Sequence, residues 1–280
     1  MQNQKNINLI YLVGTSFSGS TLLGFLLDVA EEVGFMGELK DLPDKEVEKI
    51  CSCGERSDKC TFWAKYLKKN HPTFGKPNKL FKIKQALRLI LGIKHTKQAL
   101  SNTPDYHLLQ TLLAELQETQ PNINCLLDSS KTVWRLSHLL QCKGIQLQVV
   151  YLKRDFKNNV ASFAKREPFG FWKGLMVYKI NHFLIRRFLE LHKIPVIKVQ
   201  FENLCKTPEK ELNRIKQQFQ LNTNFENFQA KLQNRTYHVR AGNTETRFQF
   251  KNGFKGIQYD ATAYKRHLSK FQLFLLNLLE

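Results

Sequence analysis

Residues 14–21 read Gly-Thr-Ser-Phe-Ser-Gly-Ser-Thr, and this short stretch constrains the fold more than any other part of the chain. It keeps the glycines, the spacing and the final threonine of the phosphate-binding loop G-x-x-x-x-G-K-[ST]. Ser20 replaces the lysine that reaches the β- and γ-phosphates. We therefore expect backbone N–H groups that hold a phosphate but no clamp for a polyphosphate, which disfavours ATP hydrolysis. A Gly/Ser turn without a ligand is the simpler alternative.

The flanking residues favour a real phosphate loop. Residues 7–13 form an apolar, β-branched run typical of a buried parallel strand, and residues 21–28 suit a buried helix. A strand followed by a loop and a helix directs a helix N-terminus at an anion. Polar residues 15–21 divide the apolar stretch into halves shorter than the ~20 residues of a membrane span, so we predict neither a span nor a signal peptide.

The rest of the chain alternates predicted strands and helices. Strands are predicted at 7–13, 123–127, 145–152 and 195–199, and helices at 20–30, 105–119, 131–141, 156–166, 171–192 and 208–220. This order indicates a three-layer α/β fold of the P-loop type with a central parallel sheet. We predict one domain, 1–280, in which residues 41–120 form a mostly helical, cysteine-containing insertion. The ligand should lie beyond the carboxyl ends of the strands.

The formal net charge of +19 predicts an anionic partner. Residues 76–97 interleave Lys and Arg with Leu and Ile, as in a basic amphipathic helix, and are a candidate for peripheral contact with a membrane. A solvated helix with an apolar face against the core is the alternative. We predict no nucleic-acid partner, although the charge leaves open a non-catalytic binder of anionic polymers.

Six cysteines occur, and their surroundings differ. Three lie in apolar sequence and are interpreted as buried thiols: Cys125, Cys142 and Cys205. Cys51, Cys53 and Cys60 could bind zinc with a fourth ligand such as His71, or two could form a disulfide. We expect a local structural cluster and predict no metal. Because this is not the pattern of a secreted disulfide scaffold, we predict a reducing, cytoplasmic location.

Several motifs occur in a characteristic order. They are Ser18-Gly19-Ser20-Thr21-Leu22-Leu23, Gly37-Glu38-Leu39, Asp128-Ser129-Ser130-Lys131, Arg154-Asp155 with Ser162 and Arg166, Phe201-Glu202-Asn203-Leu204, and His238 with Gly242-Asn243 and Arg247. Together they resemble the motifs of 3′-phosphoadenylylsulfate (PAPS)-dependent sulfotransferases, especially bacterial members and the tyrosylprotein and carbohydrate sulfotransferase branch. The resemblance spans residue 9 to about residue 250.

The resemblance implies a nucleotide site. Ser16, Phe17, Ser18, Gly19, Ser20, Thr21 and Leu22 would hold the 5′-phosphosulfate, and Arg154, Ser162 and Arg166 the 3′-phosphate. Phe201 would pack near adenine, and Gly242, Asn243 and Arg247 would belong to a loop that closes over the nucleotide. A guanidinium and a hydroxyl two helical turns later suit a phosphate dianion. A surface pair between Arg154 and Asp155 is the alternative, and His238 could be structural.

The implied reaction transfers a sulfuryl group in line from PAPS to a hydroxyl or amine acceptor and releases adenosine 3′,5′-bisphosphate. No metal is expected, because a sulfuryl group carries less charge than a phosphoryl group and amides with one or two cations can suffice. Glu38 is the candidate general base, with a raised pKa, and Lys131 would stabilise the developing charge. Glu38 as a helix N-terminal charge and Lys131 as a solvated helix-start lysine are the structural alternatives.

Two departures from the family pattern stand out. Phe17 occupies a position where many relatives carry a basic residue, for which Lys131 or Lys40 would have to substitute, and Phe201 replaces a tyrosine. A P-loop kinase is the alternative enzyme, with Asp128 as a Walker-B-like metal ligand. The acceptor has no readable signature; we expect residues 39–120 and 235–260 to select it.

Overall fold

A computed structural model describes residues 6–42, 49–68, 79–94, 103–233 and 235–280 of the chain. Within these ranges lies a sheet of parallel strands ordered β2-β3-β1-β4-β5. Its strands are β1 (Ile7–Gly14), β2 (Val33–Phe35), β3 (Cys125–Lys131), β4 (Ile145–Lys153) and β5 (Val196–Gln200). The prediction of an α/β fold with a central parallel sheet is confirmed.

Helices connect the strands and follow the last one. They are α1 (Ser20–Leu27), α2 (Thr61–Lys68), α3 (Lys79–Ile90), α4 (Pro104–Gln117), α5 (Val133–Leu139), α6 (Phe156–Ala164), α7 (Gly170–His192), α8 (Phe201–Lys206), α9 (Pro208–Phe219), α10 (Phe228–Gln233), α11 (Thr244–Lys251) and α12 (Lys270–Leu279). Short 3-10 turns cover Leu39–Asp41 and Ala263–Arg266.

Apart from Asn8, strand β1 carries no strongly polar side chain, because helices cover both faces of the sheet. Leu9 and Tyr11 belong to one apolar core, while Ile10 and Leu12 belong to another. Successive side chains of a strand point to opposite faces, so the two cores lie on opposite sides of the sheet. The first core takes in residues of α4, α5 and α7, and the second takes in residues of α1 and α9. This is the predicted three-layer arrangement.

Strand β3 continues further than predicted and carries polar residues into the sheet. Asp128, Ser129 and Ser130 are buried, and the strand ends at Lys131, where we had expected a helix to begin. The Ser129 N–H donates to the Gly37 carbonyl at 2.9 Å, and β1 has an irregular register opposite this segment. Pairing on both sides therefore keeps these polar residues extended.

The described parts of residues 41–120 contain α2, α3 and α4 and no strand of the sheet. That residues 41–120 form a cap over an acceptor stays a prediction. His71, residues 76–78 and residues 95–97 lie outside the described residues. Among the described helices, none combines the length and the apolarity that crossing a membrane requires.

Candidate active site

The loop between β1 and α1 depends on a glycine at its last turn. Gly19 precedes α1 with φ +90°, a left-handed conformation that side chains rarely adopt. A Cβ at this position would overlap the ring of Phe201, which begins α8. The chain thus turns tightly enough for the first N–H groups of α1 to face the space above β1.

Side chains from α6 and from the residue that follows β4 hold this loop in place. The buried Asn159 side chain donates to the Thr15 hydroxyl at 3.2 Å and to the Ser16 carbonyl at 2.9 Å. The Arg154 Nη1 donates to the Phe17 carbonyl at 3.0 Å. The loop is therefore fixed by the segment that follows the neighbouring strand.

A cavity of about 520 Å³ opens at the carboxyl ends of the strands. Most of the residues predicted to form the site line it: Ser16, Phe17, Gly19, Ser20, Thr21, Leu22, Glu38, Lys131, Arg154, Ser162, Arg166, Phe201, Gly242 and Asn243. Its size is within the usual range for small-molecule sites. The chain thus brings together residues that are up to 227 positions apart, from Ser16 to Asn243.

Two predicted site residues lie outside the cavity wall. The Ser18 side chain is fully buried behind the loop. The Arg247 Nη1 donates to the Ile50 carbonyl at 2.6 Å and to the Val239 carbonyl at 3.3 Å. Arg247 therefore ties two backbone segments together and does not present its guanidinium to the cavity.

Arg154 directs its guanidinium into the site. Its Nη1 lies 3.3 Å from the Ser162 hydroxyl, and its guanidinium carbon lies 4.9 Å from the centre of the Phe201 ring. Within the described ranges, the buried Nε of Arg154 has no hydrogen-bond partner. Asp155 does not compete for Arg154, since its carboxylate caps α6 by accepting the Asn158 N–H at 2.8 Å. The arrangement leaves Arg154 donor capacity for an anion.

Phe17 carries a cation over its ring. Phe17 adopts φ +61°, and the guanidinium carbon of Arg166 lies 4.8 Å from its ring centre. Arg166 also pairs with Glu245 at 2.8 Å. A positive charge therefore lies beside the position where the family pattern has a basic side chain, and it comes from Arg166, two residues after the end of α6.

Glu38 is almost buried and pairs with two lysines. Its side chain is 11% exposed and accepts hydrogen bonds from the ammonium groups of Lys131 and Lys40. Burial raises the pKa of Glu38, but the charges of Lys131 and Lys40 outweigh burial and hold the pKa below its usual value. The expectation of a raised pKa was wrong, because the sequence did not show that both lysines meet this carboxylate.

Lys131 is neither solvated nor the start of a helix. It ends β3 with φ +68°, and its side chain is 12% exposed. A left-handed non-glycine residue carries a local conformational cost that surrounding contacts must offset. Lys131 therefore stands at the cavity wall in a conformation that the strand end and its pairing with Glu38 maintain.

Asp128 is occupied by protein donors. Its buried carboxylate accepts the Ser130 N–H at 2.9 Å, the Leu39 N–H at 3.2 Å, the Ser130 hydroxyl and the Nε of Arg135. Arg135 is itself buried and also pairs with Asp105 at 2.9 Å. The Asp128 carboxylate is not part of the cavity wall. This arrangement does not support its role as a metal ligand of a kinase.

A C-terminal loop closes on the phosphate loop. Gly242 has φ +126°, and a Cβ there would lie 2.9 Å from the Thr21 hydroxyl oxygen. That oxygen accepts the Asn243 N–H at 2.9 Å, and the Asn243 side chain caps α11. Close approach of the loop to Thr21 thus depends on glycine at this position.

Other polar residues of the cavity were missed from the sequence. Asn158 and Lys165 share a helix face with Ser162, four residues before and three after it, so helical spacing could have found them. Arg266 ends a 3-10 turn near the C-terminus and His267 follows it, and neither residue belongs to a recognisable motif. The cavity is thus more basic than the motifs alone indicate.

Comparison with solved structures identifies the fold. A sulfotransferase domain of the Synechococcus PCC 7002 olefin synthase aligns over 100% of this chain and 96% of that domain, with 16% identity and a TM-score of 0.53. A sulfotransferase domain from the curacin biosynthetic pathway aligns over 98% of both chains, with 13% identity and a TM-score of 0.50. Neither a protein-family model nor a curated protein matches the chain. At these identities the likeness establishes a shared fold.

Proposed function

We propose that this protein is a sulfotransferase that uses PAPS as donor and a hydroxyl or amine as acceptor. One observation carries the proposal: separate strand ends deliver the phosphate loop, Lys131 and Arg154 to the wall of one cavity, with Glu38 beside Lys131. The shared fold with sulfotransferase domains and the order of the motifs agree with it. The relation to the tyrosylprotein and carbohydrate branch remains part of the proposal.

The residues present fit the donor. The N–H groups after Gly19 suit its 5′ end, and Phe201 offers a ring face for adenine. Arg154, with its buried unpartnered Nε, and Ser162 suit the 3′-phosphate. When bound, the donor supplies a sulfuryl group whose transfer leaves adenosine 3′,5′-bisphosphate.

The chain's own residues would divide the chemistry as follows. Glu38, ionised at neutral pH, accepts the proton of the acceptor. Lys131 places its ammonium group where negative charge develops, and Lys40 remains beside the carboxylate. We expect no metal requirement, because Lys131 and Arg154 supply cations and the Asp128 carboxylate is already filled by protein donors.

A second cavity marks the proposed acceptor side. It has a volume of about 180 Å³, shares Ser16 and Lys131 with the nucleotide cavity, and continues past Lys40 to Trp134 and Leu184. This volume is below the ~300 Å³ of a typical ligand site, so it suits only the reacting end of an acceptor. The rest of the acceptor would extend towards residues 41–120, which we propose as its cap.

The proposal predicts that Arg154→Gln selectively weakens binding of a 3′-phosphorylated nucleotide. Affinity for adenosine 3′,5′-bisphosphate should fall about 10- to 160-fold, in line with the ~1.5–3 kcal/mol of a hydrogen bond to a charged group. Affinity for adenosine 5′-phosphate should fall much less, because this nucleotide lacks the 3′-phosphate and feels only the loss of the Arg154 hydrogen bond to the Phe17 carbonyl of the loop. Isothermal titration without metal measures both.

Arg214→Gln is the matched control, since the Arg214 side chain on α9 is 45% exposed and lies away from the cavity. Equal losses for both nucleotides in Arg154→Gln would contradict the assignment of the 3′-phosphate. Tight Mg-dependent ATP binding by the wild type, without binding of the bisphosphate, would favour the kinase alternative.

Helix α3 supports the proposal of peripheral membrane contact. Leu80, Ile83 and Leu87 are each more than half exposed, and the basic residues Lys82 and Arg88 lie among them. Only Gln85 and Leu89 of this helix are buried among its described side chains. Leu89 packs into the first core and Ala86 against it, whereas Leu80, Ile83 and Leu87 point to solvent and would suit the headgroup boundary of an anionic bilayer.

Replacing Leu80, Ile83 and Leu87 together by glutamine should reduce vesicle binding at least ~10-fold, since each buried leucine or isoleucine contributes about 1.5–3 kcal/mol. Co-flotation with phosphatidylcholine vesicles containing phosphatidylserine measures it. Leu278→Gln, an exposed apolar residue of α12, is the control. Equal flotation of the triple variant and the wild type, or no flotation of either, would contradict membrane contact.

We also propose a cytoplasmic location for the protein.

A further inference from the structure

Four candidate metal ligands converge away from the nucleotide cavity. The Sγ atoms of Cys51, Cys53 and Cys60 and a ring nitrogen of His238 all lie within 4.8 Å of one another. Cys51 and Cys60 are buried, and the other two are half-buried. From the sequence we grouped the three cysteines correctly, but named His71 as the candidate fourth ligand. The structure instead supplies His238, which is 178 residues from Cys60.

We propose that these four side chains form a structural zinc site. A tetrahedral ion with Zn–S distances of ~2.3 Å separates its sulfurs by ~3.8 Å. The Sγ atoms of Cys53 and Cys60 are 3.7 Å apart, and the Cys60 Sγ lies 3.2 Å from the Nδ1 of His238. A Cys₃His set is a usual composition for a closed structural zinc site, in which no position remains for a substrate.

The backbone around the cysteines is organised as a ligand loop. The Gly54 N–H donates to the Cys51 carbonyl at 2.9 Å, and Gly54 has φ +97°, so the first two ligands lie in one tight turn that Gly54 ends. Cys60 lies immediately before α2, and its N–H donates to the Arg56 carbonyl at 2.8 Å. The tight turn thus supplies two of the ligands, and the residue before α2 supplies the third.

Hydrogen bonds fix the histidine opposite this loop. The Ser52 N–H donates to the Val239 carbonyl at 2.9 Å, and the Ser52 hydroxyl accepts the Val239 N–H at 2.8 Å. The Trp63 Nε1 donates to the His238 carbonyl at 2.7 Å. These contacts position the ligands on both sides, as the surroundings of a metal site must.

The arrangement suits zinc better than a disulfide. A disulfide would use two of the three sulfurs and would leave the third and the imidazole without the role that their convergence suggests. On binding, Zn²⁺ would replace the thiol protons of the three cysteines, which pass to solvent, and would take the neutral imidazole through one nitrogen. The Lys251 ammonium lies against Gly54, where it would balance the excess negative charge of three thiolates.

The site would anchor the loop that closes the nucleotide cavity. His238 lies four residues before Gly242, which packs on Thr21. Arg247 links the same two segments through the Ile50 and Val239 carbonyls. Zinc would therefore hold residues 50–60 to the base of the C-terminal loop. This inference does not depend on the proposed reaction.

The test is the metal content of the full chain purified under reducing conditions with zinc supplied. We expect about one zinc per chain in the wild type and in Cys205→Ser, a half-buried cysteine outside the cluster. Cys53→Ser and His238→Ala should lose most of it, and His238→Cys should retain it as a Cys₄ site. Mass spectrometry of metal and protein in the same sample gives the ratio.

A second measurement uses the wild type alone, in case a variant fails to fold. Chelation should release zinc, lower the melting temperature and make three further thiols titratable, and cobalt substitution should produce thiolate-to-cobalt charge-transfer bands. A folded wild type with substoichiometric zinc and no such bands would overturn the proposal. A mapped disulfide among Cys51, Cys53 and Cys60 in freshly isolated protein would also overturn it.

Discussion

Replacing Glu38 by glutamine should lower the turnover of sulfuryl transfer by about 10²- to 10⁴-fold, the usual contribution of a general base. The carboxylate lies at the cavity wall beside Lys131 and Lys40, and glutamine keeps its shape but cannot accept a proton. Affinity for adenosine 3′,5′-bisphosphate should stay the same or rise slightly. Removing a negative charge from a basic cavity does not weaken its attraction for phosphate.

Turnover is measured with radiolabelled PAPS and an acceptor found by screening, and nucleotide affinity by calorimetry. Glu118→Gln is the matched control, since Glu118 also pairs with a lysine, Lys65, but lies at the surface. Unchanged turnover in Glu38→Gln with intact nucleotide binding would remove Glu38 from the mechanism. If neither the wild type nor Glu38→Gln transferred a sulfuryl group while both bound the nucleotide, the protein would be a non-catalytic binder of anions.

The pH dependence of the wild type checks the same carboxylate. Because the pKa of Glu38 lies below its usual value, the base should already be ionised throughout the neutral range. The value of kcat/KM should therefore hold on acidification until the pH falls below ~4.3, the ordinary value for glutamate. A loss of activity near pH 6 to 7, absent from Glu38→Gln, would show that its pKa is raised in the working enzyme.

The sequence predicted the fold well where local chemistry determined it. Strand β1 reads as a buried strand because both its faces are covered, and Gly19 occupies a turn that only glycine adopts easily. The three-residue β2 and the short α8 were missed because they carry too few residues for a periodic pattern. Short elements depend on pairing with distant segments, which composition does not show.

The site was less predictable because its electrostatics arise from tertiary contacts. The motifs named Glu38 and Lys131, but not that Lys131 and Lys40 would both reach the same carboxylate and lower its pKa. Arg247 matched a motif and yet supports backbone carbonyls. Motif order thus located the cavity, while side-chain direction and charge required the folded chain.

Asp128→Ala should destabilise the fold by about 3–5 kcal/mol, the usual cost of removing one partner from a buried ion pair. Its carboxylate is fully buried between Arg135, the Ser130 N–H and the Leu39 N–H, all of which would lose an acceptor. Arg135 would keep its ion pair with Asp105. Urea unfolding, followed by circular dichroism, measures the free energy of unfolding.

Asp58→Asn is the control, since Asp58 pairs with Arg56 at the surface and its replacement should leave the free energy of unfolding unchanged.

The stability of Asp128→Ala also separates two roles that the sequence alone allows for Asp128. A metal ligand would lose Mg-dependent nucleotide binding with little change in stability, because removing a carboxylate from an empty metal site relieves repulsion. A buried acceptor of four hydrogen bonds would lose stability instead, and the Leu39 and Ser130 segments it holds lead directly to Glu38 and Lys131. A stable Asp128→Ala protein would therefore contradict the structural role and restore the kinase alternative.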